Sequence, residues 1–302
     1  MTDMLNNCNL CTKNCGINRN LGELGFCGSS SDIKIARVSL HHWEEPCISG
    51  ENGSGTVFFS NCNLKCVFCQ NNSISHEGIG KTVSIERLSE IFMEQQERGA
   101  HNINLVTPTH FVPQIIEAIK LAKKKGLRLP IIYNTNSYEN ISTIASLEGL
   151  IDIYLPDLKY YEDKYSLRYS KVSDYFNIAS KAIEEMYRQV DEPIFDDKGL
   201  MKRGVIVRHL MLPGLLFDSK KIVDYIYKTF GHKVFISLMN QYTPINNLDN
   251  YPEINKPLNT KHYDSLIDYC LSLGIKNAFI QEEGTASESF IPKFDFSGVE
   301  KL

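Results

Sequence analysis

Short apolar segments alternate with longer amphipathic segments along the chain from residue 55 onward. This alternation is typical of parallel β-strands that are joined by right-handed helical crossovers. The predicted strands occupy residues 56–60, 102–106, 130–134, 151–155, 204–210 and 233–238, with 276–280 as a candidate edge strand. About six β/α units are too few for a closed eight-stranded barrel. The pattern therefore predicts an open α/β fold.

Apolar residues at helical spacing fill the intervals between these strands. Ser84 is a suitable N-cap for a helix that ends at Gly99, and the helix over 112–125 ends at Gly126. Further helices are predicted over residues 138–147, 173–189, 218–230 and 261–273.

Two segments are long for simple connections. Residues 160–203 form the longest interval between predicted strands, and residues 196–199 within it read as the turn of a hairpin that leads into the fifth strand. The alternative is a plain surface insertion. Residues 241–260 contain three prolines and form a long loop that is able to cover the mouth of a barrel.

Composition limits the class of protein. With 302 residues, 42% hydrophobic and 23% charged, the chain suits one large globular domain with a small appendage. A formal net charge of −4 gives no reason to expect a nucleic-acid partner. The sequence shows neither a signal-peptide pattern nor an apolar run of about 18 residues, so we expect a cytoplasmic protein with no membrane segment.

Nine cysteines are present, and eight of them lie within the first 69 residues. In a reducing compartment, clustered cysteines bind metal more often than they form disulfides. Cys270 stands apart on the apolar side of the helix predicted over 261–273, and we interpret it as a core residue.

Cys62, Cys66 and Cys69 follow the first predicted strand and offer three thiolates. Structural zinc sites and complete [4Fe-4S] sites are normally closed by four protein ligands. An iron-sulfur cube held by three cysteines keeps one iron free for a substrate. The alternative interpretations are a zinc knuckle or three unrelated buried thiols.

The spacing of this triad, with the aromatic Phe68 before its last cysteine, resembles the signature of the radical S-adenosylmethionine (SAM) enzymes. The resemblance implies a [4Fe-4S] cluster whose open iron binds the amino and carboxylate groups of SAM. It implies that one electron cleaves the sulfonium bond, and that the resulting 5'-deoxyadenosyl radical abstracts a hydrogen atom. It also implies an open partial (β/α)6 barrel.

In parallel β/α folds, reacting groups collect at the carboxyl ends of the strands. Besides Phe68, the candidate cofactor-binding residues at these ends are Thr107, Thr109, His110, Asn134, Asn136, Asp157, Lys159, Arg208 and His209. Weaker candidates of the same kind are Asn240, Gln241, Gln281, Glu282 and Glu283.

The second strand ends in Thr107-Pro108-Thr109-His110, where many radical SAM enzymes carry a Gly-Gly-Glu motif for the SAM amino group. The threonine hydroxyls are able to accept hydrogen bonds from an ammonium, and His110 is able to orient a carboxylate or serve the substrate. The alternative is that Pro108 begins a helix and His110 is an exposed polar residue.

Asp157 and Lys159 are two residues apart on an extended strand end, so their side chains point the same way. They are able to pair, to hold a ribose hydroxyl or to meet the SAM carboxylate. An Asp-x-Lys at this strand recurs in the pyruvate formate-lyase activating enzymes, where it bears on cofactor binding. The alternative is a weak surface ion pair.

Arg208 and His209 are adjacent in an apolar strand, so one faces the barrel interior and the other faces the helices. Whichever points inward needs a ligand or an acid, because a buried unpaired charge is costly. We predict a site role for this pair, although a lone strand histidine is more often a core residue.

Cys8, Cys11, Cys15 and Cys27 supply four thiolates, which suits a closed auxiliary site. The spacing fits either a second [4Fe-4S] cluster or a structural zinc ion. Cys47 belongs to neither group and is interpreted as a spare residue or an alternative cluster ligand. We therefore divide the chain into a cysteine-rich segment, 1–48, and a partial barrel with a C-terminal extension, 49–302.

These four cysteines, with Glu44-Glu45-Pro46, the glycine-rich segment 50–59, residues 107–110 and residues 208–214, resemble the PflX-like branch related to the pyruvate formate-lyase activating enzymes. The resemblance implies a radical SAM oxidoreductase that acts on a protein or peptide, with activation of a glycyl radical enzyme as one option. It also implies a flavodoxin or ferredoxin as low-potential electron donor.

Two other functions stay open. A peptide-modifying maturase commonly carries further cluster cysteines after the barrel, whereas only Cys270 follows Cys69 here. The other open function is that of a non-catalytic iron-sulfur or zinc module for electron transfer.

Overall fold

The computed structural model describes residues 3–245, 247–281 and 292–301. Its strands, in chain order, are β1 Ile33–His41, β2 Ser54–Phe59, β3 Lys81–Val83, β4 Ile103–Val106, β5 Ile131–Thr135, β6 Ile153–Pro156, β7 Ile194–Phe195, β8 Met201–Leu210, β9 Phe235–Met239 and β10 Ala278–Ile280. Its α-helices are α1 Asp3–Asn6, α2 Pro46–Ser49, α3 Asn72–Ser75, α4 Ile85–Glu97, α5 Val112–Lys124, α6 Ile141–Ala145, α7 Asp163–Ser170, α8 Tyr175–Val190, α9 Leu216–Phe230 and α10 Thr260–Ser272. Short 3-10 helices cover Arg19–Leu21 and Thr109–Phe111.

The strands form an open, mostly parallel sheet. Across the sheet the order is β10-β9-β8-β6-β5-β4-β2-β1-β3, and every neighbouring pair from β10 to β2 is parallel. Among the described strands, only β1 and β3 at one end, and β7 beside β8, run antiparallel to their partners. The predicted α/β partial barrel is therefore confirmed.

The predicted parallel strands are all present, and the hairpin at residues 196–199 joins β7 to β8. Ser84 caps α4 as predicted, because its side-chain oxygen accepts a hydrogen bond from the backbone N–H of Arg87 at 3.1 Å. The helix predicted over 138–147 is shorter. Ser137 adopts a left-handed turn at φ 64°, so α6 begins only at Ile141.

Several elements were not predicted, among them β1, β3 and α7. The alternation of apolar residues in β1 is interrupted by a register shift between Ile35 and Arg37, which hides the two-residue period. The strand β3 is only three residues long. The helix α7 lies inside the interval 160–203 and has few apolar residues outside its tyrosines.

In the described residues, the two largest apolar cores lie on opposite sides of the sheet. The larger core lies between the sheet and the outer helices, and it includes Cys270 as predicted. The smaller core lies on the inner side of the sheet, where α2 packs against residues of β5, β6 and β8: Cys47, Ile48, Ile132, Ile153, Leu155, Met201 and Ile206. The segment before residue 48 thus contributes both β1 and α2 to the same sheet and core as the rest of the fold.

Within the described ranges, no helix is both long and apolar enough to cross a membrane.

Candidate active site

A cavity of about 280 Å³ opens at the carboxyl ends of the parallel strands. The sequence-predicted residues that line it are Cys62, Cys66, Phe68, Cys69, Thr107, Asn134, Asn136, Asp157, Lys159, Arg208 and, among the weaker candidates, Gln241. At least one of these lining residues lies on, or in the loop directly after, each of the strands β2, β4, β5, β6 and β8. Side chains that are distant in sequence therefore share one cavity, as expected for this class of fold.

The loop that carries the three cysteines is held by backbone hydrogen bonds to α7. The N–H of Lys65 donates to the carbonyl of Ser170, and the N–H of Val67 donates to the carbonyl of Tyr169 at 2.8 Å. The interval 160–203 is therefore not a plain surface insertion, because α7 fixes the position of this loop.

Each of the three sulfur atoms has a side-chain hydroxyl or amide beside it. The amide of Asn136 donates to Cys62 Sγ at 3.5 Å. The hydroxyl of Ser170 lies 3.0 Å from Cys66 Sγ, and that of Ser75 donates to Cys69 Sγ at 3.2 Å. Such partners orient thiolate ligands and tune the potential of an iron-sulfur cluster.

The triad fits a cluster that is held by three cysteines. Burial raises the pKa of Cys62 to about 12 and that of Cys66 to about 11, so cluster binding must release protons from these thiols. Among the described residues, no three His, Cys, Asp or Glu side chains converge on a single ion. In a cube, each thiolate binds its own iron, so its ligands do not have to converge on one point.

Asp157 and Lys159 form an ion pair next to the cysteines. The amine Nζ of Lys159 lies 2.6 Å from Asp157 Oδ2, and both side chains are mostly buried. Burial alone favours the neutral amine, but the carboxylate of Asp157 outweighs it and raises the pKa of Lys159. The wall of the cavity therefore keeps a positive charge within reach of a bound anion.

Arg208 points inward and is paired with two carboxylates. Its Nε donates to Glu45 Oε1 at 2.9 Å, and its Nη2 contacts the carboxylates of both Glu44 and Glu45. Burial favours the neutral acid of Glu45, but the charge and hydrogen bonds of Arg208 outweigh it and lower the pKa of Glu45. The amide of Asn104 donates to Glu44 Oε1 at 2.9 Å. The acid that the sequence required for this strand thus comes from the Glu-Glu-Pro segment.

His209 lies on the opposite face of β8 and does not line the cavity. Its Nδ1 lies 2.7 Å from the carbonyl of Leu158, and its Nε2 lies 2.8 Å from the hydroxyl of Ser219 on α9. Burial lowers the pKa of His209 to about 4. The position of its ring therefore disagrees with a direct role in cofactor binding, and it agrees with the alternative of a satisfied core histidine.

Thr109 and His110 are also turned away from the cavity. Thr107 adopts a left-handed conformation at φ 57°, after which the chain enters a 3-10 helix that buries both residues. The hydroxyl of Thr109 donates to Glu139 Oε1 at 2.7 Å, and His110 Nε2 lies 2.7 Å from the carbonyl of Ser60. Of this tetrapeptide only Thr107 reaches the cavity, so the predicted contacts of Thr109 and His110 with a cofactor disagree with the structure.

The long loop 241–260 contacts the cysteine loop. The carbonyl of Gln241 accepts a hydrogen bond from the amide of Gln70 at 2.6 Å, and the ring of Tyr242 lies 6.1 Å from that of Phe68. The side chain of Gln281 accepts hydrogen bonds from the backbone of Asn240 and Gln241. The weaker candidates Glu282 and Glu283 lie outside the described residues.

Several cavity residues were missed by the sequence analysis. His41, Trp43 and Glu44 reach the cavity from the end of β1 and the segment that follows it. Their signal was weak, because β1 itself was not predicted. Cys47 is packed in the inner apolar core, and burial raises its pKa to about 12. Its place in that core disagrees with the suggested role as an alternative cluster ligand.

The N-terminal cysteines lie beside the triad loop. Backbone hydrogen bonds of 2.9 Å join Cys8 to Gly16 and Ile17, so Cys8 is held beside the segment that follows Cys15. The amide of Asn61, the residue before the triad, donates to the hydroxyl of Ser29 at 2.9 Å. This segment therefore packs against the loop that carries the cavity cysteines.

An open parallel sheet, with three cysteines in a cavity at the carboxyl ends of its strands, defines a class of iron-sulfur enzymes that begin radical chemistry. Residues 56–225 match the family model of the radical SAM superfamily, and the chain belongs to this superfamily.

The chain is 29% identical over 276 residues to an uncharacterized protein of Methanocaldococcus jannaschii, a match that covers 88% of this chain and 75% of that protein. It is similar in fold to Streptococcus suis SuiB bound to its precursor peptide SuiA, with 13% identity, a TM-score of 0.52, and coverage of 74% of this chain and 47% of SuiB. HydG, a maturase of the [FeFe]-hydrogenase, gives 14% identity, a TM-score of 0.50, and coverage of 76% of this chain and 52% of HydG. The chain spans about half the length of these two structures, and at such identities the likeness shows the fold alone.

Proposed function

We propose that this protein cleaves SAM reductively at a [4Fe-4S] cluster held by Cys62, Cys66 and Cys69, and that it abstracts hydrogen from a protein or peptide substrate. The observation that carries the proposal is one cavity that contains the three thiols and the charged pair of Asp157 and Lys159. When bound, the cluster supplies one low-potential electron and an open iron for SAM.

The side chains of the cavity suit the polar groups of SAM. Lys159 provides a cation for the carboxylate, while Asp157 orients that amine and is able to accept a ribose hydroxyl. Asn134, Asn136 and Thr107 add amide and hydroxyl groups at neighbouring strand ends. Two of the three guanidinium nitrogens of Arg208 are engaged by Glu44 and Glu45, so we assign Arg208 the role of holding the inner wall in place.

A protein or peptide substrate is supported by the cavity residues outside this polar cluster. The exposed Trp43 and the side chain of His41 line the cavity from β1 and its following segment. The solved complex of SuiB with its precursor peptide gives further support for a peptide in this fold. We propose a flavodoxin or ferredoxin as the electron donor, activation of a glycyl radical enzyme as one outcome, and a second metal site on the N-terminal cysteines.

The test is anaerobic reconstitution with iron and sulfide, followed by SAM and dithionite and by chromatography for 5'-deoxyadenosine. We expect product from the intact protein and from Cys270→Ala, whose cysteine lies in the outer core, and none from Cys66→Ala. Equal product from Cys66→Ala and the intact protein would overturn the proposal. A non-catalytic electron carrier predicts instead that SAM leaves the EPR signal of the reduced cluster unchanged.

A further inference from the structure

Arg19 is a buried cation with no carboxylate partner in the described part of the chain. Its side chain is 0% exposed, and its Nε and Nη2 donate to the carbonyl of Ser30 at 3.1 and 2.6 Å. Its Nη1 lies 3.8 Å from the sulfur of Cys8, and its guanidinium lies 5.9 Å from the ring centroid of Phe111. A neutral carbonyl and an aromatic ring do not balance a full buried charge, which is costly without an anion nearby.

The backbone of this cation is held in place, and its side chain is held by the carbonyl of Ser30. Arg19 begins a 3-10 helix that is capped by Asn18, and the carbonyl of Arg19 accepts hydrogen bonds from Gly22 and Ser31 at 3.1 Å each. The guanidinium is therefore held beside the sulfur of Cys8.

Two of the other N-terminal thiols lie beside a turn that has no side chain at its centre. A Cβ at Gly25 would lie 3.4 Å from Cys27 Sγ and 3.7 Å from Cys15 Sγ. Cys15 Sγ also accepts a hydrogen bond from the backbone N–H of Phe26 at 3.3 Å. A backbone N–H that points at sulfur stabilises a thiolate ligand, so this hydrogen bond favours a negatively charged Cys15.

We infer that Cys8, Cys11, Cys15 and Cys27 bind a metal as a negatively charged tetrathiolate centre, and that Arg19 supplies its buried countercharge. This inference rests on the second metal site of the proposed function. It adds Arg19 as the group that balances the negative charge of that site. Among the described residues no three His, Cys, Asp or Glu side chains converge on a single ion, as zinc would require, whereas each thiolate of a [4Fe-4S] cluster binds its own iron. The centre is therefore assigned as a [4Fe-4S] cluster, which is a net anion on four thiolates. Binding deprotonates four thiols, whose protons pass to solvent, and involves no oxidation of the ligands.

The first arm of the test uses a chain with Cys62, Cys66 and Cys69 all changed to alanine, so that only the N-terminal centre remains. After anaerobic reconstitution we expect about four irons with matching sulfide per chain. The further change Cys8→Ala with Cys11→Ala should remove that metal. Where the triad variant does not fold, the intact chain with and without these two changes gives the same difference.

The second arm measures the charge. Arg19→Met should weaken metal retention against a chelator by about 10- to 100-fold, Arg19→Lys should keep most of it, and the exposed Arg98→Met is the matched control. The inference is overturned if no metal is lost with the two N-terminal cysteines, or if Arg19→Met retains metal like Arg98→Met. Both arms use the variant that lacks Cys62, Cys66 and Cys69, so neither result depends on SAM cleavage. The 5'-deoxyadenosine assay tests SAM cleavage separately.

Discussion

The hydroxyl of Ser170 lies 3.0 Å from the sulfur of Cys66, across more than a hundred residues of sequence. The phenol of Tyr160 lies 2.7 Å from the same hydroxyl, so the three groups form a buried chain. When Cys66 is a thiolate ligand it has no proton to donate, and the serine hydroxyl must donate to sulfur. A hydrogen bond to a cluster sulfur favours the reduced, more negative state of the cluster.

We therefore expect Ser170→Ala to lower the reduction potential of the cluster by roughly 20–60 mV, since one hydrogen bond is worth about 0.5–1.5 kcal/mol and 59 mV is tenfold for one electron. An EPR-monitored redox titration of the reconstituted protein measures the shift. Ser166→Ala is the matched control, because Ser166 is buried on the same helix and its hydroxyl donates to Asp163 instead. Equal potentials for the two variants would contradict the prediction.

Arg208 holds two buried carboxylates, and its removal leaves both without a cation. We expect Arg208→Ala to lower the free energy of unfolding by about 3–5 kcal/mol, measured by chemical denaturation. Arg203→Ala changes an exposed arginine of the same strand and should cost less than about 1 kcal/mol.

A combined variant separates charge from packing at this position. Arg208→Met with Glu44→Gln and Glu45→Gln removes the charges together, so it should recover part of the stability lost in Arg208→Ala. If the combined variant is no more stable than Arg208→Ala, then unpaired charge is not the cause of the loss.

Lys159 is the cation that we place against the SAM carboxylate. Lys159→Ala should weaken SAM binding by about 10- to 100-fold, because a hydrogen bond to a charged group contributes about 1.5–3 kcal/mol. Calorimetry with the anaerobic, cluster-loaded protein gives the affinity, and the exposed Lys164→Ala is the control. Unchanged affinity in Lys159→Ala would assign the ion pair with Asp157 a purely structural role.

The residues of the cavity that the sequence could locate are those that follow a strong strand signal. Asn134 lies at the end of its predicted strand, and the cysteines, Asn136, Asp157 and Lys159 follow theirs. Parallel pairing brings such strand ends together. The alternation of side chains along a strand also predicted that Arg208 and His209 lie on opposite faces. In the structure Arg208 faces the cavity and His209 faces α9. The alternation could not say which of the two faces the cavity, because both faces of a buried strand are apolar.

The remaining features depend on contacts between distant segments. Glu44 and Glu45 reach Arg208 only because α2 packs inside the sheet, and no local pattern encodes that contact. The turn at Thr107 likewise diverts Thr109 and His110 into the outer core. Positive φ at a threonine is unusual. The sequence of residues 107–110 therefore did not indicate that only Thr107 would reach the cavity.

Glu139 is a buried acid whose environment predicts a pH effect. Its Oε1 accepts hydrogen bonds from Thr109, Thr135 and Tyr133 at 2.7, 2.5 and 3.2 Å. Its Oε2 is buried without a partner among the described residues. Burial outweighs the three hydrogen bonds and raises the pKa of Glu139 above its ordinary value of 4.5.

The direction of the pH effect follows because the pKa of Glu139 is higher in the folded protein than in the unfolded chain. The contribution of Glu139 to stability is fully present below pH 4.5 and is lost as the pH rises through the pKa of the folded state, where the buried acid must ionise. The melting temperature of the intact protein, minus that of Glu139→Gln, should therefore fall as the pH rises from about 5 to 8. Glu97→Gln, an exposed change, should show no such trend at the same metal loading. A difference that stays constant over this range would mean that Glu139 does not change its protonation on folding.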